Sequence, residues 1–343
     1  MTPADPRPSL PELREGAHPF RVALTTRFRG VTHREGLLFR GPSGWAEFAP
    51  FDDYSDIGAS RWLAAAIEQG WGSWPQLVRG VVPVNAIIPD VDSQTAAAMA
   101  RDAVARGCTT MKVKVAGAPT SQAADVDRVH AVRAALDAAA VGGRIRIDVN
   151  TGWSVDDAGT YLPALAEAAG GLEYVEQPCA TLEDCAQVRA MRIAPVAIDE
   201  GIRLAENLGD SATLRAITDA ADVVILKPIP LGGVWQVLAL AERLQRPVVV
   251  SGSMDTTVGL AAGVAAAAAL PELTHACGLG TGALLAEDVC AWTAVPTSGA
   301  LSPGRPVVDA QLLRQRSIPA SDPRHGYWFE RLGAAAAALG IYV

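Results

Sequence analysis

Residues 145–150 read IRIDVN, residues 174–177 read YVEQ and residues 196–199 read VAID. Each segment is a short run rich in apolar side chains, with an acidic side chain at or next to its end. Several similar runs along the chain, such as residues 223–226, are continuously apolar rather than alternating, which is typical of parallel strands covered by helices. The three segments therefore predict neighbouring strands of a parallel sheet that bears carboxylates at its C-terminal edge.

Similar runs recur eight times after residue 82, at 84–88, 110–115, 145–150, 174–177, 196–199, 223–227, 248–251 and 275–279. Segments rich in Ala, Leu and charged residues, with helical spacing, separate them. Eight such units in roughly 200 to 250 residues are what a (β/α)8 barrel requires. We therefore expect an α/β protein with a TIM-like barrel over residues 82–304. Residues 1–81 predict an α+β capping domain, and residues 305–343 a segment that returns to this cap.

The composition excludes several classes of protein. The formal net charge of −8 argues against nucleic-acid and anionic-membrane partners, which favour basic surfaces. The longest apolar stretch, residues 258–270, is too short to span a bilayer, and no signal-peptide pattern is present. The five cysteines include no CxxC pair, so no zinc site is predicted. We expect a soluble, cytoplasmic protein, and the sequence leaves its oligomeric state open.

Charged side chains cluster where the predicted strands stop. In a (β/α)8 barrel the C-terminal ends of the strands surround the active site. Neighbouring strands are only about 5 Å apart, so carboxylates on three successive strands converge on one point. These carboxylates are Asp148, Glu176 and Asp199, and the flanking strands carry Lys112, Lys114 and Lys227.

Three converging carboxylates require a cation. Oxygen ligands without His or Cys suit a hard ion such as Mg2+, with Mn2+ as a substitute. A lysine on each side of such an ion would face a bound carboxylate substrate. Removal of the proton beside that carboxylate forms an enediolate that a metal stabilises, and a lysine of lowered pKa is a suitable base.

Six further polar residues have less specific signals. Asn150 and Glu200 are candidates for contacts to substrate or to the metal ligands, as is Lys112, but they also fit ordinary strand-end hydrogen bonding. Ser251 and Ser253 follow the seventh run, where a plain turn is an equally good interpretation. Arg27 and Arg29, in a predicted cap loop, are candidates for reaching a substrate anion.

At these positions the sequence resembles the enolase superfamily, in its muconate-lactonizing subgroup. The matching pieces are Lys112-Val-Lys114, Ile147-Asp-Val-Asn150, Val175-Glu-Gln-Pro178, Ile198-Asp-Glu200 and Leu226-Lys-Pro228. The resemblance covers essentially the whole chain. It implies that Asp148, Glu176 and Asp199 bind Mg2+, that Lys114 is the base on one face of the substrate and Lys227 the lysine on the other, and that the N-terminal module caps the barrel mouth.

Segments 44–50 (GWAEFAP) and 250–253 (VSGS) indicate which members of the superfamily the chain resembles most. They are similar to members that dehydrate 2-succinyl-6-hydroxy-2,4-cyclohexadiene-1-carboxylate to 2-succinylbenzoate in menaquinone biosynthesis. The resemblance implies a syn elimination in which Lys114 takes the proton and then protonates the leaving hydroxyl. It also suggests that Ser251 and Ser253 hydrogen-bond the succinyl carboxylate.

Several alternatives remain open at this point. Muconate cycloisomerisation or dehydration of acid sugars would use a similar site, although His275 lacks the His-Asp pairing that sugar dehydratases often use. The same lysines would serve as opposed bases in a racemase of N-acylamino acids or an epimerase of dipeptides. A non-catalytic magnesium-binding barrel would keep the carboxylates, but it has no need of Lys114 and Lys227. The lysines therefore favour an enzyme.

Overall fold

A computed structural model describes residues 7–28, 30–117, 121–292 and 294–342. The N-terminal module is a three-stranded antiparallel sheet with a helix packed on it. A tight turn joins its second and third strands, where Gly44 has φ of 139°. Gly41 contacts the backbone of Gly70 so closely that a Cβ would lie 2.1 Å from the carbonyl oxygen. The elements are α1 (Leu10–Glu15), β1 (Ala17–Phe28), β2 (Val31–Gly41), β3 (Gly44–Phe48) and α2 (Asp56–Trp71).

The centre of the molecule is a seven-stranded parallel sheet in which strands follow one another in chain order. A short antiparallel pair, β4 with β12, lies outside it. The strands are β4 (Val82–Pro83), β5 (Ala86–Ile88), β6 (Thr110–Lys114), β7 (Arg144–Asp148), β8 (Val175–Glu176), β9 (Val196–Ile198), β10 (Val223–Leu226), β11 (Val248–Val250) and β12 (Ala300–Leu301). Seven of the eight predicted runs thus contain strands of this sheet.

Helices connect the successive strands of the sheet. They are α3 (Ser93–Ala105), α4 (Gln122–Ala138), α5 (Val155–Ala168), α6 (Leu182–Ala190), α7 (Glu200–Arg203), α8 (Ser211–Ala220), α9 (Pro228–Leu231), α10 (Val234–Leu244) and α11 (Thr257–Ala269), followed by a 3-10 helix η1 (Gly280–Leu284). Most begin at a Ser, Thr or Asp whose side chain accepts from a backbone N–H of the first turn, as Ser154 does at α5. All residues of α11 are buried, as expected for its apolar composition. No helix within the described ranges is long and apolar enough to cross a membrane.

The eighth predicted run does not form a regular strand. Residues 275–279 make only single parallel bridges, between Cys277 and Val84 and between Gly278 and Ser251. Cys277 N donates to the Pro83 carbonyl at 2.8 Å and Gly278 N to the Val250 carbonyl at 2.8 Å. The two bonds run to opposite neighbours, so segment 277–278 lies between the two edges of the sheet. A Cβ at Gly278 would lie 2.5 Å from Ser251 Oγ, and this close crossing accompanies the short, irregular pairing.

The C-terminal segment packs against the N-terminal module. It contains α12 (Ala310–Arg316) and α13 (Pro323–Ala338), and α13 contacts α2. Arg324 Nε lies 2.6 Å from Glu35 Oε2 on β2. The Trp328 ring meets Phe48 edge-on at a centroid distance of 6.4 Å. The expected contact of this segment with the cap is therefore present, while the domain boundaries at 81/82 and 304/305 stay a prediction.

Candidate active site

The register of the parallel strands brings the predicted site residues together. Lys114 on β6 pairs with Asp148 on β7, and Asp148 pairs with Glu176 on β8. Asp199 directly follows β9, and Lys227 directly follows β10. Because strand side chains alternate between faces, Lys112 and Lys114 lie on the same face of β6. All these side chains therefore collect at one end of the sheet.

Lys112 is held between two buried carboxylates. Its Nζ lies 2.9 Å from Asp148 Oδ2 and 2.6 Å from Glu176 Oε1, and the side chain is 8% exposed. Burial opposes the positive charge, but Asp148 and Glu176 outweigh it and raise the pKa of Lys112 well above its usual value. Lys112 is therefore a permanent cation, suited to neutralise the carboxylates and unsuited to act as a base.

Lys114 differs from its neighbour in both exposure and basicity. Its Nζ pairs with Asp148 Oδ2 and donates to Asn150 Oδ1, and its side chain is 16% exposed. Burial is the main influence and lowers the pKa of Lys114; the nearby Lys112 adds to this effect, while Asp148 opposes it. Of the two lysines on β6, Lys114 is the one whose environment favours the neutral amine.

The opposite side of the site is formed by Asp199 and Lys227. Lys227 Nζ lies 2.6 Å from Asp199 Oδ2, and the lysine side chain is 12% exposed. Burial raises the pKa of Asp199, but Lys227 and Arg203 more than offset this, so the pKa lies below its ordinary value. Two lysines thus approach the group of carboxylates from strands on either side of β7, β8 and β9.

The buried carboxylates have unused ligand capacity. Glu176 Oε2 and Asp199 Oδ1 are buried without a hydrogen-bond partner. Burial, followed by the charge of Asp148, raises the pKa of Glu176 to about 7. A hard cation would relieve both the repulsion and the missing contacts, so the chemistry of these donors fits Mg2+.

The geometry nevertheless does not present a finished metal cluster. Across the described residues, no group of three or more His, Cys, Asp or Glu side chains is arranged to hold a metal ion. Lysine ammonium groups lie against Asp148, Glu176 and Asp199 instead. The ligand set Asp148, Glu176 and Asp199 therefore stays a prediction.

A hydrogen-bonded chain links Lys114 to the cap. Lys114 donates to Asn150, whose Nδ2 donates to Glu200 Oε1 at 3.1 Å. Arg203 Nη2 donates to the same Glu200 oxygen at 2.8 Å, and its Nη1 to Tyr54 Oη at 2.8 Å. Asn150 and Glu200 thus lie behind Lys114 in this chain, while their predicted contacts to substrate or to the metal ligands stay a prediction.

Sequence reasoning did not identify Arg203 as part of this chain. Its spacing was the available signal, because Arg203 lies one helical turn after Glu200. Gln177 was also missed as a support: its Oε1 accepts from Asp199 N at 3.0 Å and from Gly201 N at 3.1 Å. Gln177 has φ of 41°, a left-handed conformation that is costly for a residue with a side chain and is typical of functional sites.

Two adjoining cavities open at this end of the sheet. The inner one, of about 40 Å³, is lined by Lys112, Lys114, Lys227, Ser251 and Ser253 among others. The outer cleft, of about 1170 Å³, also contacts Lys114 and reaches the cap. Ser251 Oγ donates to the Gly278 carbonyl at 3.1 Å, so this hydroxyl is already engaged.

Of the two arginines proposed to reach a substrate anion, only Arg27 lies in the described part of the chain. Arg27, on β1, lines the outer cleft together with Tyr54 and Arg61. Arg29 lies outside the described residues. The chain has only three lysines, Lys112, Lys114 and Lys227, and all three lie in this site. This scarcity is a further sequence signal for the site.

Comparisons with known proteins agree with this architecture. Residues 95–306 match the family described as enolase C-terminal domain-like, and residues 20–70 match the enolase N-terminal domain-like family. The muconate lactonizing enzyme of Pseudomonas fluorescens superposes with a TM-score of 0.74 at 18% identity, covering 88% of this chain and 98% of that one. The L-Ala-D/L-Glu epimerase of Bacillus subtilis gives 0.70 at 20% identity, covering 85% and 96%. These likenesses establish the fold.

Sequence relatives place the chain more narrowly. The o-succinylbenzoate synthase of Thermobifida fusca is 50% identical over 319 residues, which cover 93% of this chain and 95% of that protein. The o-succinylbenzoate synthase of Mycobacterium marinum is 46% identical over 328 residues, 95% of each chain. The chain therefore belongs to the enolase superfamily and, within it, to the family of o-succinylbenzoate synthases.

Proposed function

We propose that this protein is a hydro-lyase that converts 2-succinyl-6-hydroxy-2,4-cyclohexadiene-1-carboxylate to 2-succinylbenzoate, a step of menaquinone biosynthesis. The observation that carries the proposal is the placement of Lys114 and Lys227 on either side of three buried carboxylates. Relatives named o-succinylbenzoate synthase at 46–50% identity over nearly the whole chain support the choice of substrate.

We also propose that the central sheet forms a complete (β/α)8 barrel. Segment 277–278 would be the eighth strand of this barrel, since it bridges Val84 on one side and Ser251 on the other. The pairing of β4 with β12 supports a barrel unit over residues 82–304, because it joins the start of that range to its end. The preceding residues 1–81 would then be the cap that closes over the mouth.

The proposed cofactor is Mg2+, with Mn2+ as a substitute, held by Asp148, Glu176 and Asp199. The buried oxygens of Glu176 and Asp199 that have no partner support this assignment. The ion, when bound, supplies positive charge that stabilises the second negative charge which develops on the substrate carboxylate. The substrate is thus a small carboxylate, and its ring lies between the two lysines.

Lys114 would act first as base and then as acid. Its lowered pKa favours the neutral amine, which takes the proton from the ring carbon beside the carboxylate. The resulting Lys114 ammonium donates this proton to the hydroxyl on the same face as the C–O bond breaks. Water leaves, the electron pair enters the ring, and Lys114 returns to the neutral amine, so the elimination is syn.

Lys227 would remain an ammonium throughout. Its pairing with Asp199 holds it on the face opposite Lys114, where its charge stabilises the enediolate. Since no proton needs to enter from that face, a lysine base on one side and a lysine cation on the other suffice for the dehydration.

The test is the loss of diene absorbance on adding enzyme to the substrate, with Mg2+ and with EDTA. Fast turnover that the chelator abolishes is expected. Lys114→Ala should lower kcat by at least about 100-fold, the usual contribution of a general base, while circular dichroism and the Mg2+-induced rise in Tm are retained. Retained activity in this variant would disprove the assignment of the base.

The two opposed lysines also suit an N-acylamino acid racemase or a dipeptide epimerase. Such an enzyme would show no loss of diene absorbance but would exchange deuterium into an N-succinylamino acid in a metal-dependent reaction. It would depend on Lys227 as a base as well as on Lys114. That outcome would replace the dehydratase proposal while keeping the same site.

A further inference from the structure

Thr281 has a hydroxyl group for which the fold offers no partner. It lies on η1, immediately after segment 277–278, and is 3% exposed. Its Oγ1 is buried without a hydrogen bond. The residue lines the inner cavity together with Lys112, Lys114 and Lys227. A buried polar group left unpaired costs free energy, so this position calls for an explanation.

The backbone around Thr281 is tightly fixed. A Cβ on Gly280 would lie 2.4 Å from the Asn85 carbonyl oxygen, and one on Gly282 would lie 2.5 Å from the Ala294 carbonyl oxygen. Both neighbours of Thr281 are therefore packed directly on other backbone segments. A Cβ on Gly252 would lie 3.2 Å from Thr281 Oγ1, so the hydroxyl faces the peptide of Gly252. The position of Thr281 is thus set by packing, and the residue forms part of the cavity wall.

Several other polar groups on this wall already have partners. Ser251 Oγ donates to the Gly278 carbonyl at 3.1 Å, and Gly252 N donates to the same carbonyl at 3.0 Å. Ser253 N donates to Asp255 Oδ2 at 2.7 Å. The hydroxyl of Thr281 remains as a donor that a ligand could engage without breaking a bond of the protein.

The strand order decides which end of a substrate Thr281 would meet. The carboxylates follow β7, β8 and β9 in the middle of the sheet, whereas segment 277–278 lies between its two edges, β5 and β11. A substrate whose ring carboxylate faces Asp148, Glu176 and Asp199 therefore turns its far end towards Thr281.

We propose that Thr281 is a specificity-determining residue whose hydroxyl donates a hydrogen bond to an oxygen of the succinyl chain. This inference rests on the proposed function, because it takes the succinyl-bearing substrate from there. It adds Thr281 to the recognition that the sequence suggested for Ser251 and Ser253, of which the Ser251 hydroxyl is engaged by the Gly278 carbonyl. The bond is made equally before and during the reaction, so it contributes to affinity rather than to the chemical step.

The test compares Thr281→Val, which keeps the shape and removes the hydroxyl, with Thr281→Ser, which keeps the hydroxyl. Calorimetry in Mg2+ measures the Kd of 2-succinylbenzoate and of benzoate, which lacks the succinyl chain. Thr281→Val should raise the Kd of 2-succinylbenzoate about 5- to 30-fold, the range expected for one lost hydrogen bond. The Kd of benzoate should stay within about twofold, and Thr281→Ser should recover most of the loss.

Kinetics give a second readout and a control. With the diene substrate, Thr281→Val should raise KM in parallel with Kd and change kcat less than about threefold. Thr110→Val removes a buried hydroxyl at the other end of β6 and should alter neither Kd. Unchanged affinity for 2-succinylbenzoate in Thr281→Val, or equal weakening of both ligands, would overturn the inference.

The outcome for the unmodified enzyme separates the two proposals. If the unmodified enzyme dehydrates the diene and Thr281→Val binds 2-succinylbenzoate as tightly as the unmodified enzyme, the proposed activity stands and only the role of Thr281 fails. If the unmodified enzyme neither turns over the diene nor binds 2-succinylbenzoate, the proposed function fails and the inference fails with it.

Discussion

Replacing Lys112 by Met should expose how much the folded state depends on positive charge among its carboxylates. Lys112 Nζ lies 2.9 Å from Asp148 and 2.6 Å from Glu176, and both partners are 1% exposed. Removing one member of a buried ion pair typically costs 3–5 kcal/mol. We expect the low end, about 3 kcal/mol, because Lys114 still pairs with Asp148, and because Glu176, with a pKa of about 7, readily takes a proton.

The assay is thermal unfolding in EDTA and in excess MgCl2. For 343 residues the unfolding entropy is about 0.7 kcal/mol/K, so the loss corresponds to a Tm lowered by about 4 °C in EDTA. A cation bound at 100 times its Kd contributes about 2.7 kcal/mol to folding. Lys112→Met removes a charge that repels the incoming cation, so Mg2+ should raise its Tm more than it raises that of the unmodified protein.

The matched control is Arg144→Met. Arg144 pairs with Glu173 at 3.1 Å but is 64% exposed, so its loss should cost less than about 1 kcal/mol and leave the response to Mg2+ unchanged. The reasoning is refuted if Lys112→Met is as stable as the unmodified protein in EDTA. It is equally refuted if Mg2+ stabilises the variant no more than the unmodified protein.

Three further predictions concern contacts between the N-terminal module and the part of the chain that follows it. Burial, with the neighbouring Asp255, raises the pKa of Glu47 to about 8. The native state therefore holds a proton that the unfolded chain loses near pH 4.5, so this group lowers the free energy of unfolding as the pH rises from about 5 to 8. Glu47→Gln should make Tm depend less on pH over this range. Glu68 accepts from Val234 N at the start of α10, so Glu68→Ala should cost about 1–2 kcal/mol in urea unfolding, and a smaller loss would argue against this cap. Tyr54→Phe removes the Tyr54 Oη to which Arg203 donates. It should lower kcat/KM about 10-fold, the low end for a hydrogen bond to a charged group, with Tm nearly unchanged, and full activity would show that this link to the N-terminal module is not needed.

Local sequence patterns were sufficient to predict most of the fold. Several strands of the parallel sheet are apolar throughout, and the side chains of the candidate site lie at the C-terminal ends of the strands. Lys114, Asp148 and Glu176 were therefore predicted as neighbours, and the register confirms that they are adjacent. The eighth predicted run makes only single bridges, and there Gly278 packs against the Ser251 side chain and Gly280 against the Asn85 carbonyl.

The missed parts of the site depend on distant contacts. Tyr54 and Arg203 are 149 residues apart in sequence, and no local pattern indicates that they meet. Ser251 looked available from its position after β11, yet its hydroxyl is occupied by the carbonyl of Gly278. Which polar groups are already paired, and which are left for a ligand, is decided by packing between segments rather than by the residues themselves.

The confinement of lysine to the active site has a practical consequence for chemical labelling. Reagents that acylate amines usually modify many surface lysines, but the only lysines of this chain are Lys112, Lys114 and Lys227. Apart from the terminal amine, acylation would therefore report on the reactivity of the lysines of the candidate site, with Lys114 as the most nucleophilic of them. For the same reason, coupling the enzyme to a support through its amines would risk inactivating it. Isotope-labelled lysine would yield NMR spectra whose lysine signals all come from the candidate active site.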